Sequence, residues 1–167
     1  MLSLSGATEI GTSAQGPALL LAPMTQDAAE FLGAAFSLID PWARYPLTTG
    51  ALGAHLGANE PGAPRYALRV GGEPRGAMTL RLNWFSGPYL QFLGVLPCVQ
   101  GQGIGSLALT WLEAGARADG ARNVWVAASD FNTGAIRLYE RHGFARVAII
   151  DKLVCDGRDE VLLRKKL

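Results

Sequence analysis

The stretch that decides the fold is Gln100-Gly101-Gln102-Gly103-Ile104-Gly105-Ser106, preceded by the apolar run Tyr89-Leu90-Gln91-Phe92-Leu93-Gly94-Val95-Leu96. The run reads as a strand. After the glycines, Ile104, Leu107, Ala108, Trp111 and Leu112 recur at helical spacing up to Gly120. Three glycines at alternate positions strip side chains from a turn that opens a helix. Such a turn offers several backbone N–H groups at once to a phosphate.

Two familiar phosphate sites fit poorly. A nucleotide triphosphatase loop ends in Gly-Lys-Ser/Thr, whereas Gly105 is followed directly by Ser106. Gly103-Ile104-Gly105-Ser106-Leu107-Ala108 matches the dinucleotide pattern G-x-G-x-x-A, and Asp130 lies one strand further on. However, Pro97-Cys98-Val99-Gln100 separates strand from glycines, and too little chain follows Asp130 to complete a doubly wound sheet.

The whole chain narrows the class. Its 167 residues suit one domain with a sizeable core, and 49% apolar residues argue against disorder. Fifteen basic and 14 acidic residues leave a net charge of +1, which gives no basis for nucleic-acid binding. Cys98 and Cys155 form no CxxC and read as free thiols of a reducing compartment. No apolar run reaches the roughly 18 residues of a membrane span. Residues 1–16 are small and polar and read as a loose tail, not a signal peptide, so the cytoplasm is the expected location.

Outward from the turn, residues 18–22 read as a strand closed by Pro23, and Thr25 as the cap of a helix that Pro41 ends. Residues 42–56 contain a short helix with His55. Tyr66, Leu68 and Val70, then Met78, Leu80, Leu82 and Trp84, alternate as a hairpin. Residues 123–128 form a strand, Asn132 or Thr133 starts a helix ended by His142-Gly143, and residues 146–150 and 160–164 read as final strands. With no repeat and no second domain, residues 17–167 are expected to form one α+β unit.

Val95-Leu96-Pro97 followed by Gln100-x-x-Gly103-x-Gly105 resembles the acyl-CoA-binding motif of the GNAT N-acetyltransferases. Residues 132–144 resemble that family's Asn-x-x-A-x-x-x-Y-x-x-x-G-F segment, in the same order and separation. The resemblance implies a single-domain α+β fold, its mixed, mostly antiparallel sheet splayed at the centre, with helices on both faces. It implies that Gln100, Gly101, Gln102, Gly103, Ile104, Gly105 and Ser106 hold the pyrophosphate of acetyl-CoA. Leu93, Gly94 and Val95 would pair with its pantetheine arm and Asn132 would help from the facing strand end. Tyr139, two helical turns after Asn132 on one face, would be the general acid for the departing thiolate. The implied reaction is direct acetyl transfer to a primary amine in a ternary complex, the acceptor being a small molecule or a peptide, with a peptide or amino-acid amine slightly favoured. A non-catalytic acyl-CoA sensor is the alternative, and a homodimer through the terminal strands is a further expectation.

The general base is missing from its usual place. A lysine-like amine with a pKa of about 10.4 costs about 4.6 kcal/mol to neutralise at pH 7, and a peptide α-amine only about 1–1.4 kcal/mol. Many family members place a glutamate on a central strand, but here Gln91 and Ala127 stand at the two matching positions. Asp130, Asp159, Glu160 and His55 remain as candidates, directly or through water. Trp42, Tyr45 and Trp84 are candidates for an acceptor pocket, and Arg44 or Arg65 for an acidic acceptor.

Overall fold

A computed structural model describes residues 2–14, 16–48 and 50–167. The strands are β1 (Thr8–Thr12), β2 (Ala18–Pro23), β3 (Arg65–Val70), β4 (Glu73–Trp84), β5 (Gly87–Val95), β6 (Asn123–Ser129), β7 (Ala145–Ile150) and β8 (Glu160–Lys166). The helices are α1 (Gln26–Ser37), α2 (Ala51–Gly57), α3 (Ile104–Ala118) and α4 (Thr133–Arg141), with 3-10 turns at Trp42–Arg44 and Pro97–Val99. The strands make one sheet in the order β1-β2-β3-β4-β5-β6-β8-β7. Among the described residues, only β5 and β6 run parallel.

Local chemistry sets the helix ends. Thr25 caps α1 by accepting from the Ala28 amide at 3.3 Å, and Asn132 caps α4 by accepting from the Ala135 amide at 3.2 Å. Gly120 and Gly143 follow α3 and α4 with φ of +72° and +81°, the left-handed exit that glycine adopts without strain.

Two cores sandwich the sheet. Leu32, Phe36, Leu52 and Leu56 of α1 and α2 meet Ala77 and Phe92 on one face. Ile104, Leu109 and Leu112 of α3, with Ile136 and Tyr139 of α4, meet Met78, Leu80, Leu90 and Val126 on the other.

A bulge in β5 shapes the centre. Thr79 pairs with Phe92 and Leu80 with Leu90, so Gln91 is one residue more than β4 can match. The extra residue reverses which parity faces which core. Leu90 therefore packs against α3 and α4, whereas Phe92, two residues on, packs against α1 and α2. On its other side β5 pairs with β6 only at Tyr89↔Trp125 and Leu90↔Val126. Beyond these pairs the strands part, while β6 stays paired with β8 along its whole length. The expected splay is thus present, and it leaves one backbone edge of residues 91–95 without a strand partner among the described residues.

The N-terminal segment corrects one expectation. The described residues of the expected loose tail, residues 1–16, are not loose, since β1 adds to the sheet edge against β2. Leu2 is buried, its amide donates to Asp119 Oδ2 at 3.2 Å, and its carbonyl accepts from the Tyr66 hydroxyl. The Ala14 amide donates to the Gln102 carbonyl at 3.0 Å and so braces the glycine turn. Alternating polar and small residues in a short edge strand carry little periodic signal, which is why composition misled. Met1 and Gln15 of that segment lie outside the described residues. Among the described residues, no helix is long and apolar enough to cross a membrane.

Candidate active site

The splay opens into a cavity of about 520 Å³ between the end of β5, the glycine turn and the start of α4. Leu93, Gly94, Val95, Gln100, Gly101, Gly103, Ile104, Gly105, Ser106, Asn132 and Tyr139 all line it. Gln102 does not: its side chain is buried, and its amide lies 3.5 Å from the Cys98 carbonyl. Gln100 serves the turn itself, donating its side-chain amide to the Val95 carbonyl at 2.8 Å.

The three glycines answer to two different constraints. Gly101 and Gly103 have φ of +77° and +80°, and a Cβ on either would meet open space. Their requirement is conformational, and an L-residue held there costs roughly 1–2 kcal/mol. Gly105 is helical, and a Cβ on it would come within 3.1 Å of Leu138 Cδ2, so it permits close approach of α3 and α4. Gly103 caps α3 without any side chain over the helix end, which leaves the first-turn amides facing the cavity mouth.

A second cavity of about 340 Å³ adjoins the first. Pro41, Trp42, Leu93, Asn132, Ala135 and Tyr139 line both. Tyr139 is therefore at the junction. It is 5% exposed, its ring packs 5.8 Å from Phe144, and its hydroxyl makes no hydrogen bond among the described residues. Burial, and secondarily the neighbouring Tyr89, pushes its pKa well above the ordinary tyrosine value, so it stays a phenol and can donate.

Two of the four candidate bases reach this second cavity, Glu160 and His55, while Asp130 and Asp159 line neither. Asp159 Oδ1 instead accepts from the Lys152 amide at 3.3 Å. Glu160 is 6% exposed. Its Oε1 accepts from the Tyr45 hydroxyl at 2.6 Å, and that hydroxyl also pairs with Ser129 Oγ. Burial first, then the hydrogen bond to Glu160, pushes the Tyr45 pKa up to about 12, so Tyr45 remains a donor to the carboxylate. This Tyr45–Ser129–Glu160 cluster joins residues 115 positions apart in sequence, a relation no motif carries.

Trp42 and Tyr45 line the pocket, as expected of acceptor-side aromatics, but Trp84 does not. Trp84 stands at the β4–β5 hairpin tip with Phe85, both exposed. The two candidate arginines are engaged elsewhere. Arg65 is buried and donates to the His55 and Ala63 carbonyls at 2.6 and 2.7 Å. Arg44 donates to Asp40 at 3.0 Å. A larger cleft, about 700 Å³, lies by the Trp84–Pro88 turn at the opposite end of β5, and none of the expected cofactor or catalytic residues lines it.

His55 has its Nε2 3.4 Å from Thr79 Oγ1. Burial, then the Arg65 and Arg81 charges, lowers its pKa, with Glu60 opposing weakly. The folded state therefore disfavours the imidazolium. Its contribution to stability is complete above the unfolded pKa of about 6.5 and is lost as pH falls below it. Urea melts should show the wild type losing more stability between pH 7.5 and pH 5 than His55→Gln. Equal losses in both proteins would exclude this role.

The site thus combines a splayed α+β sheet, a glycine turn at its opening and a phenol at the junction of two cavities. The model of the acetyltransferase (GNAT) family matches residues 25–144, and the chain belongs to that family. The fold is similar to that of an acetyltransferase from Thermus thermophilus, at 24% identity and TM-score 0.73, covering 96% of this chain and 100% of that one. It is also similar to the GNAT domain of S. lividans PAT, at 19% identity and TM-score 0.70, covering 96% and 97%. A GNAT family acetyltransferase from Elizabethkingia anophelis with acetyl-CoA bound is similar at 18% identity and TM-score 0.66, covering 89% and 98%.

Proposed function

We propose that the protein moves an acetyl group from acetyl-CoA to a primary amine in a ternary complex. The observation that carries this reading is the continuity of the two cavities at Tyr139. The donor fits the first cavity. The turn from Gly101 to Ser106 offers backbone N–H groups to the pyrophosphate, each worth roughly 1.5–3 kcal/mol toward a charged acceptor. The unpaired edge of residues 91–95 offers peptide groups to the pantetheine amides, as an added strand would. The thioester then lies at the junction, where Tyr139 donates its proton to the developing thiolate. Desolvation disfavours thiolate as well as phenolate there, so the transfer is not opposed by burial alone. The amine enters from the second cavity.

An acceptor screen with thiol-release detection tests the reading. Turnover on at least one amine is expected; CoA binding with no turnover on any amine favours the sensor alternative. The cradle has its own test. Gly103→Val puts a β-branched residue at φ +80°. It should abolish the rise in melting temperature that CoA gives the wild type. An undiminished rise would remove the turn from the donor site.

A further inference from the structure

We infer that Glu160, steadied by Tyr45, receives the acceptor's ammonium group and takes its first proton, and that the acceptor is an apolar primary amine with no free carboxylate beside the nitrogen. This rests on the acetyl-transfer reading for the reaction and on the pocket alone for the choice of amine.

Charge in the second cavity is one-sided. Among the described residues, Glu160 is the only anionic side chain lining it, and neither arginine nor lysine lines it. Arg65 and Arg44, the two arginines that the sequence offers for an acidic acceptor, already serve backbone carbonyls and Asp40. His55, held toward its neutral form, supplies no cation. A second acceptor atom points the same way. Gln91 Oε1 is buried and has no hydrogen-bond partner among the described residues, so a donor is missing there. Only Oε1 of Glu160 is engaged by Tyr45, and Oε2 makes no hydrogen bond among the described residues. Apart from Ser129, whose hydroxyl pairs with Tyr45, and Asn132, whose side chain caps α4, the remaining walls, including Trp42, Tyr89, Phe92 and Leu52, are apolar or aromatic. An ammonium on an apolar body satisfies every one of these features. A free amino acid does not, because its carboxylate would be buried beside Glu160 with no cation to meet it.

In the transfer, the ammonium gives one proton to Glu160. The nitrogen lone pair forms the C–N bond at the thioester carbon, the C–S bond breaks, and the thiolate takes the Tyr139 proton. The second nitrogen proton restores Tyr139, and Glu160 releases its own to water. The products are the amide, the thiol and one proton.

Calorimetric titration of the full chain, with and without CoA, tests this directly. The probes are phenethylamine, a tripeptide amide beginning with phenylalanine, and free phenylalanine. Phenethylamine or the tripeptide amide should bind at least roughly tenfold more tightly than phenylalanine, and whichever of the two binds better distinguishes a free amine from a peptide N-terminus. Glu160→Gln should weaken that binding roughly 10–150-fold and narrow the gap to phenylalanine. Tyr45→Phe, which keeps the carboxylate, should weaken it less. Phenylalanine bound as well as phenethylamine, or equal affinity in wild type and Glu160→Gln, overturns the inference. If Glu160→Gln does not fold, the wild-type comparison of amine with amino acid still decides. Failure of CoA to bind would instead sink the donor reading, and the amine titrations would stand on their own.

Discussion

Replacing Tyr139 by phenylalanine is expected to lower kcat roughly 10²–10⁴-fold, the usual worth of a positioned general acid. Affinity for CoA should stay within a few fold, because the cradle is backbone of the glycine turn and does not include the phenol. Stability should also persist. The ring keeps its contact with Phe144, and the hydroxyl has no hydrogen-bond partner among the described residues to strand. The pH profile adds an independent readout. With the Tyr139 pKa raised above its ordinary value of about 10, the wild-type rate should show no loss from this group up to pH 9. Steady-state thiol release, paired with calorimetry for CoA, separates the two effects. A kcat within threefold of wild type would end the assignment of Tyr139 as the acid.

Phe36→Ala should be the most damaging of the stability changes. Phe36 is fully buried, with its ring centroid 4.8 Å from Trp42 and 5.3 Å from Phe92. A Cβ built on Gly94 would lie 2.8 Å from the Phe36 ring, so this ring packs on the bare backbone of the splayed strand. Removing it leaves a cavity and costs about 3–5 kcal/mol. For a chain of this size that lowers the melting temperature by roughly 6–20 °C. The damage should reach the site, because Trp42 stacks on Phe92 at 4.6 Å and lines both cavities. Acceptor KM should therefore rise in whatever fraction remains folded. A melting shift below about 2 °C would show that this aromatic cluster does not hold the face together.

Much of the first cavity was legible because it is local. The glycines of 101–105 stand close together in the chain, and Asn132 and Tyr139 lie on one helix face, so spacing alone brings them together. The elements were legible for the same reason: the caps at Thr25 and Asn132, the hairpin alternation and the exits at Gly120 and Gly143 each lie within a few residues. The second cavity was not legible. Glu160 looked like one charged residue among several, and Tyr45 like one aromatic among several. Their hydrogen bond depends on the residue after the 3-10 turn and the β8 terminus meeting across the sheet. Gln91 looked only like a missing glutamate. Its place as the extra residue of a bulge follows from the β4–β5 register, which residue type does not encode.

Sequence by itself determined the α+β class, the order of the main elements, the glycine-rich turn before a helix and the phenol seven residues after its cap. These are consequences of backbone preference and periodicity, which act over a few neighbours. Only the tertiary structure decided how far β5 stays with β6, which two of the four candidate bases line the pocket, that neither candidate arginine does, and that Thr8–Thr12 form a strand. The reason is that each of these turns on packing between segments far apart in the chain. Such contacts become fixed only when a bulge, a shared cavity or a strand edge brings the segments into register.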